Sequence, residues 1–206
     1  TSQQLCSALA PATAMGQPFL HMTYNDKINK TETLNFESSP LTRGASLSYQ
    51  NLYVLTSGNT ASASEIVINC LKPYMEGRLY QVGTATFGKN VAQQLFTNAE
   101  APGIELWLTT TYLSNSQGYY DYFKNGLLPD FEIEENYGAE LGDFGSAEDQ
   151  LMQPVLYRME NGSFPVVTNP DESEDATTLS RSRTSKHVQL LVDPIAQKPH
   201  YNRIKR

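Results

Sequence analysis

NLYVLTSGNTASASEIVINCLKPYMEGRLYQVG, residues 51–83, decides the fold. Its opening NLYVLTS (51–57) is a compact apolar run rich in strand formers, stopped by Gly58-Asn59. Such a run reads as a buried strand covered on both faces. A helix over about 63–76 follows, because Ile66, Val67, Cys70, Leu71 and Tyr74 recur at three- and four-residue intervals. RLYQVG (78–83) then reads as a second strand. Strand, helix, strand predicts a parallel crossover unit, right-handed in nearly all such cases, and with it an α/β core.

Upstream of this unit, SQQLCSALA (2–10) predicts a short helix, with Leu5 and Leu9 at helical spacing, and FLHMTYN (19–25) alternates as a strand does. Residues 26–46 are polar without a firm period and predict a surface loop or irregular hairpin. Downstream, VAQQLF (91–96) and IELWLTTTYL (104–113) predict two more strands. SAEDQLMQPVLYRMENG (146–162) predicts a helix with a serine cap and a glycine stop, weakened in its middle by Pro154. The domain expected is therefore 1–162, and the acidic, then basic residues 163–206 read as a polar extension or tail.

Composition narrows the function classes. The 206 residues carry a net charge of -7 and a sequence pI near 5.0, which argues against a nucleic-acid partner. No apolar stretch reaches the roughly 18 residues of a membrane span. Two cysteines, Cys6 and Cys70, allow at most one bridge and have no metal-ligand spacing, and His21, His187 and His200 are far apart in sequence. His21 reads as a sheet position. No metal or other cofactor is expected. The chain starts without an initiator Met or a leader-like segment, so a piece of a longer protein is expected.

Chemistry enters at TASASE (60–65). Ser62-Ala63-Ser64-Glu65 fits a capping box, in which Ser62 accepts the Glu65 amide and the Glu65 carboxylate reaches back to the Ser62 amide. That explains Ser62 and Glu65 and leaves Ser64 over. A serine in the first turn of a helix after a buried strand lies among unpaired amides, at the helix end that favours an oxyanion. It needs a base. Lys89, in VGTATFGKNVAQQ (82–94), is a candidate if burial depresses its basicity.

Taken together, SASE and VGxxTFGKxxxxQ resemble the C-terminal processing peptidases, or tail-specific proteases, a family with a Ser/Lys dyad. Ser64 and Lys89 fall 25 residues apart, the family's spacing, with Gln93 four residues after the lysine. NGLLPDFEIE (125–134) looks like the family's G-x-x-P-D segment and DFGSAEDQLMQPVLYRM like its closing helix. The resemblance covers about residues 1–160. It implies Ser64 as nucleophile, Lys89 as base and then acid, Gln93 as the residue orienting Lys89, and the Glu65 backbone amide as an oxyanion donor.

The resemblance also implies a crotonase/ClpP-like fold, a protein or peptide substrate, and a place in the bacterial periplasm or lipid-anchored at the cell envelope. The family's D-L-R-x-N-x-G-G stretch and its PDZ-like docking module are not in this sequence, and Asn90 stands where a glycine usually follows the lysine. An N-terminally truncated catalytic domain, weakly active or inactive alone, is therefore expected. Three other readings remain open: a silent relative that binds peptides or proteins, a crotonase-type acyl-transfer or thioester enzyme, and a carbohydrate surface at the tyrosine-rich SQGYYDYF (116–123).

Overall fold

The computed structural model describes residues 1–38, 49–98, 100 and 102–166. Thr1–Val166 forms one compact unit; the second unit, Val167–Arg206, and with it nearly all of the expected extension, lies outside the described residues.

The crossover read from the sequence is present. Strand β3 (Leu52–Thr56) pairs in parallel with β4 (Leu79–Gly83), from Leu52 opposite Leu79 to Thr56 opposite Gly83, and α2 (Ala63–Leu71) connects them. The helix is shorter than expected. Pro73 lacks an amide, so the chain tightens into a 3-10 turn over Lys72–Tyr74 instead of continuing to 76. Burial of β3 also differs from expectation: Leu52–Leu55 are only half-buried. In the described sheet, ordered β3-β4-β7, β3 is an edge strand with a neighbour on one side only. The third member, β7 (Phe131–Glu132), pairs in parallel with β4 through Val82 and Gly83.

A second sheet, ordered β2-β1-β6-β5, is antiparallel throughout. It contains β1 (Pro18–Tyr24), β2 (Thr31–Asn35), β5 (Val91–Thr97) and β6 (Glu105–Ser114). The β1–β2 hairpin resolves part of the polar stretch after residue 25, and His21 is the sheet residue expected, its Nδ1 2.8 Å from Thr33 Oγ1 across the pair.

The core lies where α1 (Ser2–Leu9), α2 and the antiparallel sheet meet. Ile68, Cys70 and Leu71 of α2 are fully buried with Cys6, Phe19 and Phe36. Burial of a side chain the size of Ile68 or Leu71 contributes about 1.5–3 kcal/mol. In α1 the buried residues are Cys6 and Ser7, whereas Leu5, counted towards the apolar face, is 49% exposed. Phe36 joins the layers, edge-on to Phe19 at 5.3 Å and to Tyr74 at 5.0 Å.

The last helix, α3 (Met152–Asn161), starts six residues later than its expected serine cap and stops as expected at left-handed Gly162. Before it, residues 146–151 form turns held by Asp149, whose carboxylate accepts the Gly145 and Leu151 amides at 2.8 and 2.9 Å. Pro154 falls in the first helical turn, where its missing amide leaves no bond unmade.

Candidate active site

Two loops leave the same ends of the parallel strands and run side by side. After β3, residues 57–60 turn back on themselves, Thr60 N donating to Ser57 O at 2.9 Å, and Ser62 then caps α2. After β4, residues 84–89 pass alongside, and the Phe87 amide donates to Thr60 O at 2.9 Å. Ser62 and Lys89 are thereby brought together from positions far apart in the chain.

The carboxylate of Glu65 fastens the loops. Its side chain is 0% exposed and accepts four hydrogen bonds. Oε2 receives the Ser62 amide at 2.7 Å and the Lys89 amide at 2.9 Å; Oε1 receives Thr86 Oγ1 and the Gly88 amide, both at 2.6 Å. A buried carboxylate is tolerable only when its lone pairs are satisfied in this way.

The lysine loop is supported from behind by residues 122–130. The Leu127 amide donates to Thr86 Oγ1 at 2.7 Å, and Lys124 N donates to Gly88 O at 3.1 Å. This contact is close enough to require glycine on both sides. Gly88 has φ +89°, and a Cβ there would be 2.6 Å from Tyr122 O; Gly126 has φ +72°, and a Cβ would be 1.9 Å from Thr86 O. Asp130, of the Pro-Asp pair, accepts the Gln81 amide at 2.7 Å and sets the start of β7 against β4.

Ser62 stands apart in backbone geometry. It has φ 56° and ψ −112°, one of three described non-glycine residues at positive φ and outside even the left-handed helical region. Such a conformation costs on the order of 1–3 kcal/mol and persists only where its surroundings enforce it. Here the bond from its amide to Glu65 does so. Ser64 is an ordinary residue of the first helical turn, exposed, its amide donating to Ala61 O at 3.2 Å. Among the described residues the Ala63 amide has no acceptor.

Lys89 is half-buried. Gln93 is exposed on β5, at the bulge where the pairing with β6 shifts register, and among the described residues no hydrogen bond joins its side chain to Lys89. Asn90 is almost fully buried and donates Nδ2 to Tyr120 O at 2.6 Å, so it fixes the tyrosine-rich turn to the lysine loop. Tyr122 of that turn is 1% exposed, and burial, followed by the Glu65 charge, holds its hydroxyl well above the usual tyrosine range. Sequence reasoning found the reach of Glu65 to Ser62 through the capping pattern. It missed the other three bonds, made by residues 21 to 24 positions further on.

The family model for peptidase family S41 matches residues 5–133, a span holding the serine segment, the lysine loop and the Pro-Asp pair. The chain belongs to peptidase family S41. Two relatives of this S41 chain are carboxyl-terminal-processing proteases: that of Synechocystis sp. is 32% identical over 111 residues and that of Picosynechococcus sp. 36% identical over 114. These alignments cover 54% and 55% of the S41 chain and 25% and 26% of the relatives. The chain thus spans about a quarter of the length of the curated relatives it matches.

A solved structure assigned to the S41 proteases, from Bacteroides fragilis NCTC 9343, superposes on 79% of this S41 chain at a TM-score of 0.67 and 33% identity, and 41% of that structure is covered. The mixed α/β arrangement is shared with it. Among the described residues of this S41 chain, no helix is long and apolar enough to cross a membrane.

Proposed function

We propose that the protein to which this chain belongs is a serine endopeptidase of the C-terminal processing type, built on a crotonase/ClpP-like core, and that it cleaves peptide bonds through a Ser/Lys pair. The observation that carries the reading is the shared carboxylate oxygen: the amides of Ser62 and Lys89 both donate to Glu65 Oε2, so their backbones are separated by no more than the sum of two hydrogen bonds.

Spacing along the chain favours Ser64 as nucleophile; backbone geometry favours Ser62, and we give geometry the greater weight. The turn between α2 and β4 can vary in length without moving either loop, which makes the residue count a weak guide. A strained serine between strand and helix is how hydrolases present a nucleophile clear of its helix. Ser62 also leaves the next amide, that of Ala63, free to donate to an oxyanion, whereas Ser64 as nucleophile assigns that role to Glu65 N. One such donor is worth about 3–4 kcal/mol at the transition state.

In this mechanism the amine form of Lys89 Nζ takes the proton of the serine hydroxyl as Oγ bonds to the scissile carbonyl carbon. The C–N bond then breaks and Lys89 returns the proton to the leaving amine. Water attacks the acyl-enzyme ester, giving its proton to Lys89, and the serine oxygen recovers a proton as the acid product leaves. Gln93 remains the candidate for orienting Lys89. A protein or peptide substrate, the periplasm or cell envelope as compartment, and low activity of residues 1–206 without upstream sequence complete the proposal.

Hydrolysis of a fluorogenic peptide by the full-length protein tests it. Lys89→Ala lowers kcat by about 10²–10⁴-fold, and Lys89→Arg does not restore it, because arginine cannot give up its proton. Unchanged hydrolysis in Lys89→Ala contradicts the dyad, and full activity in residues 1–206 alone contradicts the expected incompleteness.

A further inference from the structure

Glu65 has no chemical step in the mechanism above, yet no other described side chain touches both loops in the same way. Of its four bonds, three go to backbone amides, so what it controls is the path of the main chain at Ser62, Gly88 and Lys89. The fourth partner, Thr86, passes the restraint on, because its hydroxyl donates to Glu65 Oε1 while accepting the Leu127 amide. The serine loop, the lysine loop and the 122–130 support therefore meet at one carboxylate. A hub of this kind makes the two loops move together or not at all.

The acceptor count explains why glutamate is needed there. A carboxylate is acceptor-only and can take all four donors, whereas the amide of glutamine offers one oxygen and presents two hydrogens to donors. Such a substitution keeps the shape and forces about half the bonds to break. Aspartate keeps the charge and is one methylene too short to span from α2 to the lysine loop.

We infer that Glu65 is the positioning residue of the site: its carboxylate locks the Ser62 and Lys89 loops into one unit and so sets the distance between hydroxyl and amine. This inference rests on the peptidase reading for its kinetic half and on the hydrogen-bond geometry alone for its structural half. Two measurements separate them.

The structural half is read on the 206-residue chain by amide hydrogen exchange. In the wild type, the Ser62, Gly88 and Lys89 amides share one protection factor, the sign of a single opening, and Glu65→Gln lowers all three together by at least about tenfold. Protection factors that differ clearly among the three in the wild type, or protection that survives the substitution, overturn the inference whether or not the protein is a peptidase. The kinetic half is read on the full-length enzyme with a fluorogenic peptide. Glu65→Gln lowers kcat by about 100-fold or more with KM within about threefold of wild type.

Ser7→Ala is the control for mere destabilisation, since it removes a fully buried hydroxyl of α1 that donates to Gln3 O at 2.7 Å and accepts the Glu37 amide at 2.9 Å. It lowers the Tm and leaves kcat within about threefold. Should Glu65→Gln fail to fold, Thr86→Val and Thr86→Ser form the second pair: valine lowers kcat and serine, which keeps the hydroxyl, restores it. Equal kcat losses in Glu65→Gln and Ser7→Ala, or full activity in Thr86→Val, overturn the positioning role. A wild-type enzyme that hydrolyses no peptide overturns the peptidase reading and the kinetic half, leaving the exchange result to decide the coupling of the loops.

Discussion

Ser62 and Lys89 hang from the same oxygen: their backbone amides donate to Glu65 Oε2 at 2.7 and 2.9 Å. Neither residue is placed by its own local sequence. The parallel pairing of β3 and β4 brings the loops to one end of the sheet, and the buried carboxylate fixes how close they come.

The contact of the lysine loop with residues 122–130 leaves no room for a methyl group at Gly126, where a Cβ would fall 1.9 Å from Thr86 O. Gly126→Ala therefore has to move backbone as well as adopt an unfavourable positive φ, and a loss of at least about 2 kcal/mol is expected. Denaturant unfolding measures it. Gly16→Ala, at a similar φ of +76° with nothing within 4 Å, isolates the strain alone and costs less.

Cys6 and Cys70 are both free and fully buried. Burial pushes the Cys6 thiol up to about 12 and raises Cys70 further, so neither forms a thiolate at neutral pH. Both are expected to resist iodoacetamide in the folded chain and to react together on unfolding. Mass spectrometry after a short labelling pulse across a denaturant series checks this; labelling of either cysteine at low denaturant contradicts the packing of α1 on α2.

Asp149 gives the fold a defined acid response. The Gly145 amide is the largest influence on its carboxyl; burial, next in size, opposes it, and the Leu151 and Met152 amides add to it, so that the carboxyl lies below the ordinary value of 3.8. With its folded pKa depressed, its contribution is complete above the unfolded value and is lost as pH falls through the folded one. Asp149→Asn should lower Tm at pH 6, and its difference from wild type should shrink as pH drops below about 4. A difference that stays constant down to pH 2 contradicts the assignment.

The strands and helices of the core were legible because their apolar periods are local: NLYVLTS, RLYQVG and the α2 repeat each lie within a few turns of chain. Helix ends were less so. Pro73 cuts α2 at Leu71, and the carboxylate of Asp149 delays α3 to Met152, effects that depend on a single ring or a single side chain rather than on a period. In the site, TFGK and the Pro-Asp pair were legible as motifs, and the half of the capping box that runs from Glu65 back to Ser62 was correctly read. The bonds from Glu65 to Thr86, Gly88 and Lys89 were not, since they exist only once β4 lies beside β3. The backbone angles of Ser62, which separate it from Ser64, have no signature in composition at all.

The choice of nucleophile is where a single experiment bears most directly. The full-length protein is treated with a fluorophosphonate, digested, and the phosphonylated residue located by tandem mass spectrometry within residues 60–74. The expected adduct is on Ser62 Oγ, retained in Ser64→Ala and lost in Lys89→Ala. An adduct on Ser64, or labelling that survives Ser62→Ala at the wild-type rate, contradicts the account.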